Sequence, residues 1–167
     1  MTSTAASRYW ERKLAVLWSS LDRQEGSEFV VAIEALVAEL PEGDAIGVFE
    51  VASAQDSTGH PDLAVPLYRA ALATGLAGIR RRRAVIQMAS SLRNLGQPQE
   101  SVELLTKELD QESDELDGAV RSFLALALVD VGREREAVAI SLAALSRYLP
   151  RYNKSLARHA AEIVEKK

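Results

Sequence analysis

The sequence predicts an all-α chain of about nine helices, and three observations carry that prediction. Apolar residues recur at spacings of three and four along most of the 167 residues, the period that lines one face of an α-helix. Ala and Leu abound while aromatics make up only 5%, and strands favour aromatic and β-branched side chains. Gly and Pro punctuate the pattern so that every link is short, which makes neighbouring helices antiparallel hairpins.

In chain order, residues 1–7 are small and polar and read as a frayed end. A first helix is expected over 8–21, with Trp10, Leu14, Leu17 or Trp18, and Leu21 on one side. A second, over 27–40, aligns Phe29, Ile33, Leu36, Val37 and Leu40 and is closed by Pro41-Glu42-Gly43. A third covers 44–57 and ends at Gly59. Pro61 opens a fourth, to about 73; Pro66 lies beyond its first turn and removes a backbone hydrogen bond, which predicts a kink or a late start.

The fifth helix, 80–95, has two faces. Val85, Met88, Leu92 and Leu95 form an apolar stripe, and Arg83, Gln87, Ser90 and Asn94 share a different face. Gly96 stops it and Pro98 opens the sixth, to 109. The seventh spans 115–131 up to Gly132, and the eighth 134–148 up to Pro150. The ninth, 151–165, turns Leu156, Ala160 and Ile163 inward and a charged face outward.

Composition narrows the function. The length suffices for a single domain, 1–167, with a real core, and 47% apolar residues is ordinary for a globular protein. Without Cys there are no disulfides or thiolate metal sites, and two His argue against a His-rich one, so neither metal nor cofactor is expected. A net charge of −4 exerts no global pull on nucleic acid, which is not expected as a partner. The N-terminus places charges where a signal peptide needs an apolar core, and no stretch approaches the roughly 18 apolar residues of a membrane span. A cytoplasmic protein with no membrane contact is expected.

The glycines Gly59, Gly96 and Gly132 recur at intervals of 37 and 36 residues, each between two amphipathic helices. Seven residues before each lies Ala52, Ala89 or Ala125, and five after lies Ala64, Ser101 or Ala137. Small residues at both sites are what two closely packed helix axes need. Farther out, Tyr68, Leu105 and Ser141 correspond, as do Leu72, Leu109 and Leu145.

On these residues the chain resembles the tetratricopeptide repeat family, whose unit is a helix-turn-helix of about 34 residues. The small-then-aromatic pair is present as Ala64 and Tyr68. The usual Trp and Tyr of the first helix are replaced by Val48 and Gln55, Val85 and Leu92, then Arg121 and Leu128, and the closing Pro survives only as Pro150. The slightly long spacing resembles a bacterial variety of the repeat. The resemblance implies a right-handed superhelical array of hairpins: repeats over 44–78, 80–113 and 115–150, an N-terminal hairpin or degenerate repeat over 8–40, and a capping helix over 151–165.

The resemblance also implies a non-catalytic scaffold that binds a protein or peptide across a concave face lined by the first helix of each hairpin. The matching positions include Phe49, Glu50, Ser53 and Asp56 in the first unit, then Arg83, Gln87, Ser90, Arg93 and Asn94, then Phe123, Leu126 and Val129. Arg83, Gln87, Arg93 and Asn94 present guanidinium and amide donors at one-turn spacing, which suits an acidic or carboxylate-bearing ligand. Against this stands a structural role, with Arg93 paired to Asp56 or Asp130. Phe123, Leu126 and Val129 are expected to lie under the final helix, or else to form an apolar patch for a partner.

Two further readings stay open. Tyr9, Trp10 and Trp18 are expected in the core of the first hairpin, with a homodimer surface as the alternative. The run Arg80–Arg83 opposes the macrodipole at a helix start, so helix propensity does not explain it. Neutralisation by the acidic residues 110–117 is the expectation; the alternatives are a solvated face, or a partner that is a small anion or nucleic acid. No enzyme is expected: His60 and His159 lack a neighbouring nucleophile, and there is no phosphate loop, zinc-protease or hydrolase motif.

Overall fold

The computed structural model describes residues 4–165, with side chains from Arg8 onward. Among the described residues there is no strand, and nine α-helices follow one another: α1 (Thr4–Trp18), α2 (Gly26–Val37), α3 (Ala45–Ser57), α4 (Pro61–Ala73), α5 (Gly78–Asn94), α6 (Pro98–Leu109), α7 (Asp117–Asp130), α8 (Glu134–Ser146) and α9 (Asn153–Glu165). Part of the expected frayed end, residues 1–3, lies outside the described residues, and the helix already runs from Thr4. No described helix is long and apolar enough to cross a membrane.

Local chemistry moves several boundaries. Helix α1 stops at Trp18 because Ser20 Oγ takes the Leu17 carbonyl at 2.6 Å and Arg23 takes that of Ser19 at 2.8 Å; a 3₁₀ turn, Leu21–Arg23, follows. Asp44 is the N-cap of α3, accepting from the N–H groups of Ile46 and Gly47 at 2.9 and 3.2 Å. Helix α4 runs unbroken from Pro61 with Pro66 inside it, so the expected late start does not occur. Helix α7 begins only at Asp117, whose carboxylate takes the hydroxyl of Ser113 at 2.7 Å in the preceding turn. Helix α9 cannot start at Arg151, because Tyr152 has a φ of 66°, in the left-handed region.

The three expected turns share one backbone. Gly59, Gly96 and Gly132 have φ of 87°, 74° and 73°. Each donates its N–H three residues back, to Asp56, Arg93 and Val129, at 3.1, 2.9 and 3.0 Å. The next N–H donates five residues back, to Gln55, Leu92 and Leu128, at 2.9, 2.9 and 2.8 Å. This double bond satisfies carbonyls that a helix end leaves open, and its left-handed residue suits glycine. His60, Gln97 and Arg133 then adopt φ of −114°, −115° and −110°, with ψ of 62°, 50° and 49°, before the next helix begins. The small residues flanking these turns, Ala52, Ala89, Ala125, Ala64, Ser101 and Ala137, are all buried. Ser141 and Leu145 break the third unit's pattern and face solvent.

The chain divides into two compact units, Met1–Ala84 and Val85–Lys167. In the first, α2 packs on α1 and α3, and α3 on α4. Trp10, Leu14, Phe29, Val30, Ile33, Leu36 and Ala54 form its core, with Trp18 edge-on to Phe29 at 5.0 Å. Trp10 donates its indole N–H to the Leu36 carbonyl at 2.9 Å. In the second, α7 packs on α6 and α8, and α8 on α9. Ile86, Ala89, Val102, Leu105, Val120, Leu124, Ala125, Ala127, Leu128 and Ala137 form its core. Arg135 donates to the Ile163 carbonyl at 2.7 Å, tying the start of α8 to the end of α9.

Candidate functional site

Four of the expected groove residues lie on α3, and three of them are closed off. Phe49, Glu50 and Ser53 are no more than 1% exposed. They were expected to meet a ligand; instead the chain's own side chains occupy the space. Glu50 accepts from Trp18 Nε1 at 2.9 Å and from Arg80 Nε at 3.0 Å. Arg80 reaches on to Glu11 through Nη2 at 2.7 Å. Burial works against the Arg80 charge, but the bonds to Glu11 and Glu50 outweigh it and hold the guanidinium above its ordinary range.

The other residues of that unit form a second small network. Phe49 and Tyr68 pack with ring centroids 6.2 Å apart, and the exposed Arg83 lies over the Phe49 ring at 5.3 Å. Half-buried Asp56 accepts from the Tyr68 hydroxyl at 3.4 Å, and Tyr68 shares a further hydrogen bond with Ser53. Burial above all drives the Tyr68 phenol far above its usual range, so it stays protonated and donates. Arg80, which begins the basic run, thus has its partners in Glu11 and Glu50, and Asp117, which ends the acidic stretch, has Arg121 and Arg147, each at 3.4 Å.

In the second unit the expected residues stay accessible. Gln87, Ser90 and Arg93 are half-buried and Asn94 is exposed. Arg93 Nε donates to Asp130 Oδ2 at 2.5 Å, the pairing weighed from the sequence. It joins the last turn of α5 to the last turn of α7. Phe123 is half-buried against the core. Leu126 and Val129 remain 47% and 50% exposed. The final helix does not cover them, because it packs on α8, and its Ala157, Ala160, Ala161 and Val164 share an open hollow with Leu124 and Leu128 instead.

The links from Trp18 and Arg80 to Glu50 were missed in the sequence. The available signal was Glu50 itself, a lone charge in the apolar run Val48-Phe49-Glu50-Val51-Ala52. No group of acidic and His residues suited to a metal occurs among the described residues. His60 stands at the N-cap of α4 without a side-chain capping bond, and His159 contacts Glu162 at 3.4 Å.

A family model described as a tetratrico peptide repeat matches residues 45–163, from the first residue of α3 into α9. Comparison with curated proteins and with solved structures returned no match.

Proposed function

The chain belongs to the tetratricopeptide repeat family, and from that premise we propose a non-catalytic interaction scaffold that binds a peptide or protein segment on the face made by α5 and α7 within the second unit. Gln87, Ser90, Arg93 and Asn94 supply the polar part, and Leu126 and Val129 the apolar part. A carboxylate-bearing segment suits the first and an aliphatic side chain the second.

The observation that supports this reading most is the state of Arg93. Its Nε is fixed by Asp130, and its two terminal nitrogens have no partner among the described residues. A guanidinium held by one edge presents the other as a preorganised fork for a carboxylate. Phe49, Glu50 and Ser53 have no part in the proposed site, since their burial leaves a ligand nothing to touch.

The test is retention of a partner from native lysate by wild type, by Arg93→Glu and by Leu126→Asp, with helix content followed by circular dichroism. Loss of the same band in both variants, with unchanged helicity, supports the scaffold. Identical lanes remove the α5–α7 face. Light scattering over a concentration series separates a homo-oligomer, whose mass rises with concentration, from a monomeric adaptor.

A further inference from the structure

The chain carries more acid than base, but the balance is not uniform along it. From Ala137 to Ala161 there is no Asp or Glu, while Arg147, Arg151, Lys154 and Arg158 all fall there. Two tyrosines are interleaved with them, in the tandem Arg147-Tyr148-Leu149-Pro150-Arg151-Tyr152. The cations and tyrosines themselves lie on residues 147–158, which link α8 to α9 and run into the first turns of α9, wholly within the second unit.

None of residues 147–158 is buried. Tyr148 and Tyr152 are 72% and 77% exposed, the two highest values among the large apolar side chains of the described residues. Burial therefore does not account for either ring. Two of the cations have partly exposed acidic neighbours: Arg147 lies 3.4 Å from Asp117, and Arg158 lies 3.8 Å from Glu162. Arg151 and Lys154 are exposed, with no ion-pair partner among the described residues. Solvent-facing rings alternating with solvent-facing cations match the two needs of an unpaired nucleic-acid strand. Bases stack on aromatic faces, and phosphates take charged donors. An acidic peptide would use the cations, but its carboxylates offer the ring faces nothing to stack on.

We propose that the α8–α9 segment, through Tyr148, Tyr152, Arg147, Arg151, Lys154 and Arg158, is a binding surface for single-stranded nucleic acid. It stands apart from the peptide-binding face proposed above and shares no residue with it. The net charge of −4 does not conflict with it, because screening confines electrostatic attraction to roughly 10 Å at ordinary salt, and the local balance decides.

The test is fluorescence anisotropy of a labelled twelve-residue oligothymidylate against the full chain. Four phosphate contacts predict that affinity falls about fifty-fold when salt rises from about 50 to about 200 mM. Tyr148→Ala and Tyr152→Asn should each weaken binding about five-fold or more, the loss expected for one stacked base. Asn tolerates the left-handed backbone at 152, so Tyr152→Asn keeps the fold. Arg151→Glu with Lys154→Glu should abolish binding, with the melting temperature as the folding control. The proposal is overturned by any of four results: no saturable binding at low salt, tyrosine variants that bind like wild type, an abasic strand of equal length that binds equally well, or equal displacement by polyglutamate, which would indicate an acidic peptide.

Discussion

Trp18 donates its indole N–H to Oε2 of Glu50 at 2.9 Å, a bond that ties α1 to the middle of α3. Glu50 is almost fully buried, and its other oxygen takes Arg80. A buried carboxylate deprived of a donor costs more than the bond itself contributed, because the group stays desolvated. Trp18→Phe keeps the ring against Phe29 and removes only the N–H, so the expected loss is about 1 to 3 kcal/mol in urea unfolding. Arg80→Met removes the charge partner and should cost more, roughly 3 kcal/mol or above. A smaller loss for Arg80→Met than for Trp18→Phe would mean that Glu50 does not depend on that charge.

Ser101 offers the opposite case. It stands where the other repeats have Ala64 and Ala137, and its hydroxyl is buried with no hydrogen-bond partner among the described residues. Ser101→Ala should therefore be neutral or raise stability by up to about 1 kcal/mol. Ser101→Leu at the same site should destabilise by about 1 to 3 kcal/mol, because the methyl-sized space is closed. Equilibrium denaturation of the pair separates the size requirement from the hydroxyl.

Gly96 and Gly118 separate backbone from packing. A Cβ on Gly96 would meet nothing within 4 Å, but its φ is 74°. Gly96→Ala should cost about 1 to 2 kcal/mol through the left-handed backbone alone. Gly118 lies in α7, where a Cβ would come within 2.9 Å of the Tyr148 hydroxyl, the far end of an exposed side chain with room to shift. Gly118→Ala should be neutral or stabilising by up to about 1 kcal/mol. Thermal melts showing equal effects at the two sites would contradict the conformational explanation.

Asp117 makes stability fall in acid. The Ser113 hydroxyl first, then the Asp114 N–H and Arg121, hold its carboxyl down to about 2 against some opposing burial. A carboxyl lowered by folding stabilises the native state above its unfolded value near 4, and that contribution disappears as pH falls toward 2. Its size should be on the order of 1 to 2 kcal/mol after allowance for solvent screening. Ser113→Ala should move the Asp117 titration upward, as read by NMR, and shrink the acid-side loss of stability.

The Arg93–Asp130 pair is only partly buried, so Arg93→Gln should change stability by less than about 1 kcal/mol. That keeps Arg93 variants usable in binding assays. A larger loss in urea unfolding would assign the residue to the fold.

The candidate site was legible in part. The polar face of α5 was visible as Arg83, Gln87, Ser90 and Asn94 at helical spacing, and none of the four is buried. Phe49, Glu50 and Ser53 on α3 proved buried, because periodicity assigns a residue to a helix face but not to what covers that face. Glu50 on α3 is met by Glu11-linked Arg80, 30 residues away, and by Trp18, 32 residues away in the other direction. The Arg-Tyr tandem was hidden behind a whole-chain charge, which averages a basic segment into an acidic total.

By itself the sequence determined the helices, their order and the repeated turn, because these depend on local chemistry. A glycine admits the left-handed backbone at 59, 96 and 132, a small residue sits at each close approach, and apolar spacing sets one inward face per helix. Tertiary structure alone decided which inward or polar faces remain open. Phe49 and Ser53 are closed while Leu126 and Val129 are not, although all four occupy corresponding faces of their helices. Exposure depends on side chains far apart in the chain meeting in space, and local spacing carries no record of those meetings.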